Sequence, residues 1–484
     1  MYLGIDLGTS GVKSLVIDEN QNVIAQATAP LSVSYPHPLW AEQNPEDWVK
    51  AMLTTLQEIT SHIGDLSALR AISFSGQQHG AVCLDQHHDV IRPAILWNDG
   101  RAHEECDSLM QDNPDFVDIG GNKVMPGFTA PKLLWLQRHE PENFTRIKTV
   151  LLPKDYLRFC LTGQFASDLS DAAGTLWLDV GKRQWSESLL KSCGLTLDHM
   201  PRLYEGTEIT GELTDEIQKL LGITHAVPVI AGAGDNAAGA IAMGVISEGQ
   251  AMLSLGTSGV YFVANDTFRP NPHGGLHTFC HCIPDTWHQM GVILSAANCL
   301  DWWAKQQQQP IPNLLAELPD AHPTQAPIYL PYLAGERTPH VDPFAQSCFI
   351  GMTNATTRAD MTYAVLEGVA FACKESQNVI QATDARIDAV SVIGGGAKSP
   401  AWGQLLANVL RQPLHYHQDA EVGPALGAAR LAMIGMHPES LVDIAITPPI
   451  EKIITPVADQ HALLEDRFQR YQQCYQQLKP VFHC

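Results

Sequence analysis

Positive charge is scarce in this sequence: 30 Lys and Arg stand against 52 Asp and Glu in 484 residues, a formal net charge of −22. DNA, RNA and anionic membrane surfaces would repel the average surface of such a chain, which excludes non-specific polyanion binding as its function. Long apolar runs are missing too, and no stretch approaches the roughly 20 residues needed to span a bilayer. The N-terminus runs from Met1 through Tyr2-Leu3-Gly4-Ile5 straight into Asp6, a charge where a secretory signal needs its apolar stretch. We expect a chain that is neither secreted nor inserted into a membrane. Cysteine lacks pattern: 11 residues, an odd number, stand at irregular spacings and often inside apolar runs, as at Cys83, Cys160 and Cys373. That is no disulfide framework, and it predicts a reducing, cytoplasmic setting. The cluster His277, Cys280, His281 and Cys282 has zinc-ligand types but no second pair at finger-like spacing, so buried thiols beside a strand are the preferred reading.

Low-complexity linkers are absent as well. With 45% hydrophobic and 17% charged residues, and 37 Gly and 31 Pro scattered along the chain, the composition is that of a globular α/β protein. What stands out is an internal repeat. Leu7-Gly8-Thr9-Ser10-Gly11-Val12 recurs letter for letter as Leu255-Gly256-Thr257-Ser258-Gly259-Val260, each copy between two short apolar stretches. Strand, tight glycine turn, strand is the pattern, a hairpin opening each of two comparable halves. We infer a duplicated domain with its junction near residue 245. Strand-then-glycine signals at Ala71–Gly76 and Val390–Gly396 add sheets covered by helices to each half. From His461 to Leu478 apolar residues fall at a helical period, which predicts a C-terminal amphipathic helix.

Two familiar phosphate motifs are lacking: Gly8-Thr9-Ser10-Gly11-Val12-Lys13-Ser14 fails the P-loop spacing, and there is no protein-kinase loop set. An acidic protein that handles phosphate must hold it with backbone amides, metal ions and a few local cations. A glycine-rich hairpin turn brings N–H groups and hydroxyls together for that purpose. Thr9, Ser10 and Lys13 of the first hairpin, with Gly256 and Thr257 of the second, are the candidate phosphate contacts. Asp6 ends the first strand, within reach of a magnesium ion on the phosphates, and its counterpart in the second copy is Ser254; the magnesium reading is preferred to a turn aspartate bonded to the backbone.

The stretch Val227 to Ala240, with Gly232-Ala233-Gly234-Asp235-Asn236-Ala237 at its centre, fits a strand, a glycine turn and a small-residue helix. It also matches the dinucleotide fingerprint G-x-G-x-x-A, which makes an NAD-dependent oxidoreductase the rival of a different class. Asp235 argues against it by placing a negative charge at the anion site of the helix N-terminus. A carboxylate there suits a general base for an attacking hydroxyl, and a helix N-cap is the structural alternative.

On these residues the chain resembles the FGGY family of carbohydrate kinases, within the actin-like ATPase superfamily. The resemblance rests on Gly4-Ile5-Asp6-Leu7-Gly8-Thr9-Ser10, Gly127-x-Thr129-x-x-Lys132-Leu133-x-Trp135-Leu136, Gly351-Met352 and Asp360-Met361-x-x-Ala364-Val365-Leu366-Glu367. Gly76-Gln77-Gln78-His79-Gly80, Leu96-Trp97-Asn98-Asp99-Gly100-Arg101, Lys154-Asp155-Tyr156-Leu157 and Ser170-Asp171-Ala172-Ala173-Gly174-Thr175 are similar to the members that phosphorylate D-xylulose. Many of those have Met where Gln78 stands.

The resemblance implies an α/β fold of two duplicated actin-like ATPase (ribonuclease H-like) domains with the active site in the cleft between them. Residues 1–245 would bind the sugar and residues 246–484 ATP. The implied activity is ATP-dependent phosphorylation of D-xylulose to D-xylulose 5-phosphate, with Asp235 as base and Asp6 assisting through Mg2+; both carboxylates are candidate metal ligands. Gln78, His79 and Asn98 would meet sugar hydroxyls, and Gly395, Gly396 and Ala397 the adenosine. Trp97 and Trp135 wall the sugar or pack the core, and Glu336-Arg337 reads as an ion pair near the cleft. The implied partners are a small sugar and ATP, and a homodimer is compatible with the reading. Kinases of L-ribulose, L-fuculose or gluconate, and a non-enzymatic actin-like ATPase switch, are the alternatives.

Overall fold

The computed structural model describes residues 1–396, 398–418 and 423–483. Both expected hairpins form, and each starts the same sequence of elements. In the first half β1 (Tyr2–Leu7), β2 (Gly11–Ile17) and β3 (Val23–Pro30) are followed by α1 (Pro45–Ile63), β4 (Ala71–Gly76), α2 (Pro153–Thr162), β5 (Pro228–Ile230) and α3 (Asp235–Ala242). In the second, β6 (Gly249–Leu255), β7 (Gly259–Asn265) and β8 (Trp287–Ile293) precede α4 (Arg358–Gln381), β9 (Ile387–Ile393), α5 (Pro400–Leu410), β10 (Leu414–His417) and α6 (Pro424–Met436).

The sheets repeat as the elements do. The first is ordered β5-β4-β1-β2-β3 and the second β10-β9-β6-β7-β8. In each, the second strand of the hairpin is antiparallel to both neighbours and the first three strands of the order are parallel. Extra strands extend both edges, Ile209–Glu212 beside β5 and Ile450–Ile454 beside β10. Parallel strands buried on both faces need helices on both sides, and the alternation along β1 shows how they are supplied. Leu3, Ile5 and Leu7 pack with Trp48, Met52 and Leu56 of α1 and Leu157 and Leu161 of α2. Tyr2 faces the other way, into a cluster with Ala425, Ala429 and Ala432 of α6.

That second face is covered from the other half of the chain: α6 follows the second sheet in sequence but packs on β1, β2 and β4 of the first, and on α3. Its row of small side chains makes the approach close. A Cβ on Gly427 would collide with the carbonyl oxygen of Ala238 in α3. The C-terminal helix α7 (His461–Phe482) buries Leu464, Phe468, Tyr471 and Tyr475, the face read from the sequence. It is fastened by Arg467, whose Nε donates to Glu367 Oε1 of α4 at 2.7 Å. Among the described residues no helix is long and apolar enough to cross a membrane.

Candidate active site

Strand register assembles the centre of the site. Asp6 lies opposite Lys13 of β2 on one side and Ser75 of β4 on the other, and beyond Ser75 lies Ala233 in the short strand Ala233–Gly234. Four residues from three distant parts of the sequence therefore form one row across the sheet, and the chain turns from Gly234 directly into α3 at Asp235. Ser75 Oγ donates to Asp6 Oδ1 at 2.9 Å. In the second half the matching row is Val260, Ser254 and Ile393, which carries no charge. The duplicated scaffold holds ionisable chemistry on one side only.

Burial lifts the Asp6 carboxyl to about 6, against the pull of the Ser75 hydrogen bond and the Lys13 charge. Asp235 is lifted to about 7, first by burial and then by the negative charge of Asp6. The two acids thus share one poorly solvated space. Hard oxygen ligands of this kind fit Mg2+, which is held by one or two carboxylates completed by phosphate oxygens and water. The helix cap expected of Asp235 is corrected: Gly234 occupies the N-cap and Asp235 is the first helical residue. Its Oδ1 accepts from the Asn236 backbone N–H at 2.7 Å and from Asn236 Nδ2 at 2.9 Å. Both bonds fall on one oxygen, which leaves Oδ2 to take a proton.

Beside this pair stand two of the expected sugar contacts. His79 Nδ1 lies 2.7 Å from the Gly174 carbonyl, and since a carbonyl only accepts, Nδ1 carries the proton and Nε2 is an acceptor. Burial lowers its pKa to about 3, so the ring is neutral. His79 holds a left-handed backbone, φ 69°, whose carbonyl accepts from Lys132 Nζ at 2.8 Å and Thr129 Oγ1 at 3.1 Å. This explains Thr129 and Lys132 in the resemblance motif. Gln78 donates from Nε2 to the Ser170 carbonyl at 3.2 Å. A Cβ on Gly234 would fall 2.6 Å from that amide nitrogen, so glycine there makes room for Gln78 beside Asp235.

Trp97 and Asn98 are exposed at the rim, and Trp97 Nε1 donates to Thr9 Oγ1 at 2.9 Å. Trp135 is buried, edge-on to Trp40 at 5.3 Å with the Arg101 guanidinium over both rings. It is core, which corrects the sugar-wall reading. Asp99 and Arg101 are structural as well, joined at 2.7 Å.

The two hairpin turns differ in their hydroxyls. Thr9 Oγ1 donates to Gln77 Oε1 at 2.9 Å while it accepts from Trp97, so its proton is committed; Gln43 Nε2 also holds the Thr9 carbonyl at 2.8 Å. Ser10 is exposed and Lys13 partly buried. In the second turn Thr257 and Ser258 are exposed, and the carbonyls of Gly256 and Thr257 accept from Ala297 and Ala296 N–H at 2.9 Å each. That pins the turn and leaves the Thr257 hydroxyl without a partner among the described residues. Gly395 faces open space, whereas a Cβ on Gly396 would press on Leu255 at 3.0 Å. Ala397 lies outside the described residues.

One further expectation is corrected, and the preferred reading of the cysteine cluster holds. Glu336 does not rely on Arg337 for an ion pair: its Oε1 accepts from the backbone N–H of Leu294 at 2.9 Å and of Arg337 at 2.7 Å. The His277, Cys280, His281, Cys282 cluster is a buried hydrogen-bonded structure, with the Cys282 N–H donating to His281 Nδ1 at 2.8 Å and His281 Nε2 donating to the Val245 carbonyl at 3.0 Å. Its thiols are pushed up by burial, away from the thiolate that a metal ligand needs. Among the described residues the acids grouped closely enough for a metal are Asp155, Asp168 and Asp171, and Lys154 Nζ already lies among them. Sequence reasoning gave no role to Ser75, which sits in the strand-then-glycine stretch Ala71–Gly76, or to Gln77, which follows it.

This geometry has known counterparts. Residues 1–242 match the FGGY family of carbohydrate kinases, N-terminal domain, and residues 251–436 its C-terminal domain. A xylulose kinase of Escherichia coli K12 is 50% identical over 484 residues, spanning 99% of this chain and 100% of that protein. The crystal structure of a xyloylose kinase from Brucella ovis superposes with a TM-score of 0.96 at 45% identity, covering 99% of each chain. A gluconate kinase structure from Lactobacillus acidophilus reaches 0.91 at 25% identity, covering 98% of this chain and 97% of that one.

Proposed function

The chain belongs to the FGGY family of carbohydrate kinases, and on that premise we propose that it transfers the γ-phosphate of ATP to D-xylulose, forming D-xylulose 5-phosphate. Gln78, His79 and Asp235 standing together beside the charged row of the first sheet is the observation that carries the reading. The sugar lies against the first half, residues 1–245, and ATP against the second, residues 246–484.

Gln78 and the unprotonated Nε2 of His79 satisfy sugar hydroxyls that would otherwise be desolvated without partners. Asp235 Oδ2 takes the proton of the attacking hydroxyl as its oxygen bonds to phosphorus and the bond to the ADP oxygen breaks. The raised pKa of Asp235 fits a group that must gain a proton near neutral pH. Lys13 and the turn at Gly256 and Thr257 hold phosphate oxygens, and Gly395 leaves space for the nucleoside. Asp6 and Asp235 would hold Mg2+, which when bound neutralises charge on the transferring phosphate. The ten described cysteines are all free thiols, in keeping with a cytoplasmic enzyme.

The test is ADP release measured over a panel of D-xylulose, L-ribulose, D-xylose, glycerol and gluconate. D-xylulose is expected to give the largest kcat/KM. Gluconate is expected to be poor, because its carboxylate would join two buried acids, of which Asp6 already raises Asp235. A larger kcat/KM for any other member of the panel would overturn the assignment.

A further inference from the structure

Behind the sugar contacts lies a buried charge cluster that none of these steps uses. Lys154 and Arg158 are wholly buried with Asp155, Asp168 and Asp171. Lys154 Nζ stands 2.7 Å from Asp155 Oδ1 and 3.1 Å from Asp171 Oδ2, and it also contacts Asp168 Oδ2. Arg158 reaches Asp155 Oδ1 at 2.7 Å. Burying so many charges is expensive and weak evidence of a stability role, so the question is what the cluster holds in place.

The answer runs through Asp168. Its Oδ1 accepts from the backbone N–H of Ser170 at 2.9 Å and of Asp171 at 3.1 Å, and from the Ser170 hydroxyl. With that proton committed, Ser170 Oγ can only accept from its other neighbour, and it does so from the Gly234 N–H at 3.1 Å. The Ser170 carbonyl takes Gln78 Nε2 at 3.2 Å. One serine, oriented by a fixed carboxylate, therefore holds the backbone immediately before Asp235 and the side chain of a sugar contact.

We propose that Ser170 is a positioning residue for phosphoryl transfer: clamped by the Lys154–Asp168 pair, it fixes the turn that aims Asp235 and sets the reach of Gln78, without itself touching sugar or ATP. The proposal rests on the general-base reading of Asp235. Ser170→Ala removes the acceptor for the Gly234 N–H but keeps the carbonyl that holds Gln78, so the two functions should separate. Small displacements of catalytic groups cost rate steeply, and kcat is expected to fall about ten- to a hundredfold while the sugar Kd changes little. Ser170→Thr, which restores the hydroxyl, should recover most of the loss.

These variants are compared with wild type by kcat with D-xylulose, sugar Kd by calorimetry and hydrogen exchange at Gly234. The Gly234 amide is expected to be protected in wild type and to exchange faster in Ser170→Ala. Unchanged kcat in Ser170→Ala would overturn the proposal. So would a threonine variant no better than alanine, or a wild-type Gly234 amide exchanging as fast as an open turn; the last applies even if neither variant folds. If wild type fails to phosphorylate D-xylulose, the substrate assignment falls. Exchange at Gly234, and kcat on whichever sugar the wild type does use, then still decide the role of Ser170.

Discussion

Asp235 has one carboxylate oxygen tied to Asn236 and one left over, and this division makes the base separable from the fold. Asparagine keeps an oxygen for the two Asn236 donors but cannot take a proton. Asp235→Asn is expected to lower kcat by about 10²- to 10⁴-fold with thermal unfolding and sugar Kd close to wild type; kcat within about threefold of wild type would remove the residue from that role. Glu336 provides a different test, because one of its oxygens is buried without a hydrogen-bond partner among the described residues. Burial pushes its carboxyl from 4.5 up to about 8. Between those values the folded chain keeps a proton that the unfolded chain has lost, so stability falls as pH rises through this window. Glu336→Gln mimics the protonated acid and should raise Tm at pH 8, with the advantage shrinking toward pH 5; a difference independent of pH would show Glu336 to be ionised when folded. Asp6 and Asp235 drew notice in the sequence because each adjoins a glycine-rich turn, and Gln78 and His79 because they stand in the motif that carries the family resemblance. The commitment of the Thr9 hydroxyl to Gln77 was not, since those residues meet only through strand pairing.

Elements meet most tightly where α3 crosses α6. The small residues of both helices were visible in the sequence, but a stripe of alanine and glycine does not say which sheet will lie beneath it. That α6 covers the first sheet follows from the fit of Ala425 and Ala429 against Gly4, where a Cβ would meet Ala429 Cα at 3.0 Å. The crossing ties the helix that begins with Asp235 to the sheet that carries Asp6. Overpacking a core commonly costs about 1–3 kcal/mol, and here the obstacle to a Cβ on Gly427 is backbone, which yields less than a side chain. Gly427→Ala should therefore lie at the upper end of that range and lower turnover along with Tm. Gly239→Ala, in α3 next to the Ala238 that Gly427 meets, is the matched control: nothing lies within 4 Å of its added Cβ, and alanine favours a helix interior by up to about 1 kcal/mol. Equal Tm values for the two variants, read by thermal unfolding, would mean that the crossing relaxes freely.

Across the whole molecule the letter-for-letter repeat was a reliable guide to the paired sheets, yet identical hairpins have been put to different uses. Strand neighbours account for the divergence. In the first half Asp6 has Ser75 and Lys13 beside it, and Thr9 is bound into a chain with Gln77 and Trp97. In the second, Ser254 lies between Ile393 and Val260, and the exposed Thr257 has no hydroxyl partner among the described residues while its carbonyl holds Ala296. A free hydroxyl on a pinned turn is ready to donate to phosphate, whereas the Thr9 hydroxyl would first have to leave Gln77. Thr257→Val preserves the shape and removes that donor. Hydrogen bonds to charged groups contribute about 1.5–3 kcal/mol, so the ATP Kd should rise by roughly ten- to a hundredfold while the sugar Kd, measured by calorimetry on the same variant, stays near wild type. Loss of sugar affinity with normal ATP affinity would reverse the assignment of the two halves. Thr9→Val should act otherwise, loosening Trp97 at the sugar rim, so the same substitution at two copies of one motif is expected to disturb different ligands.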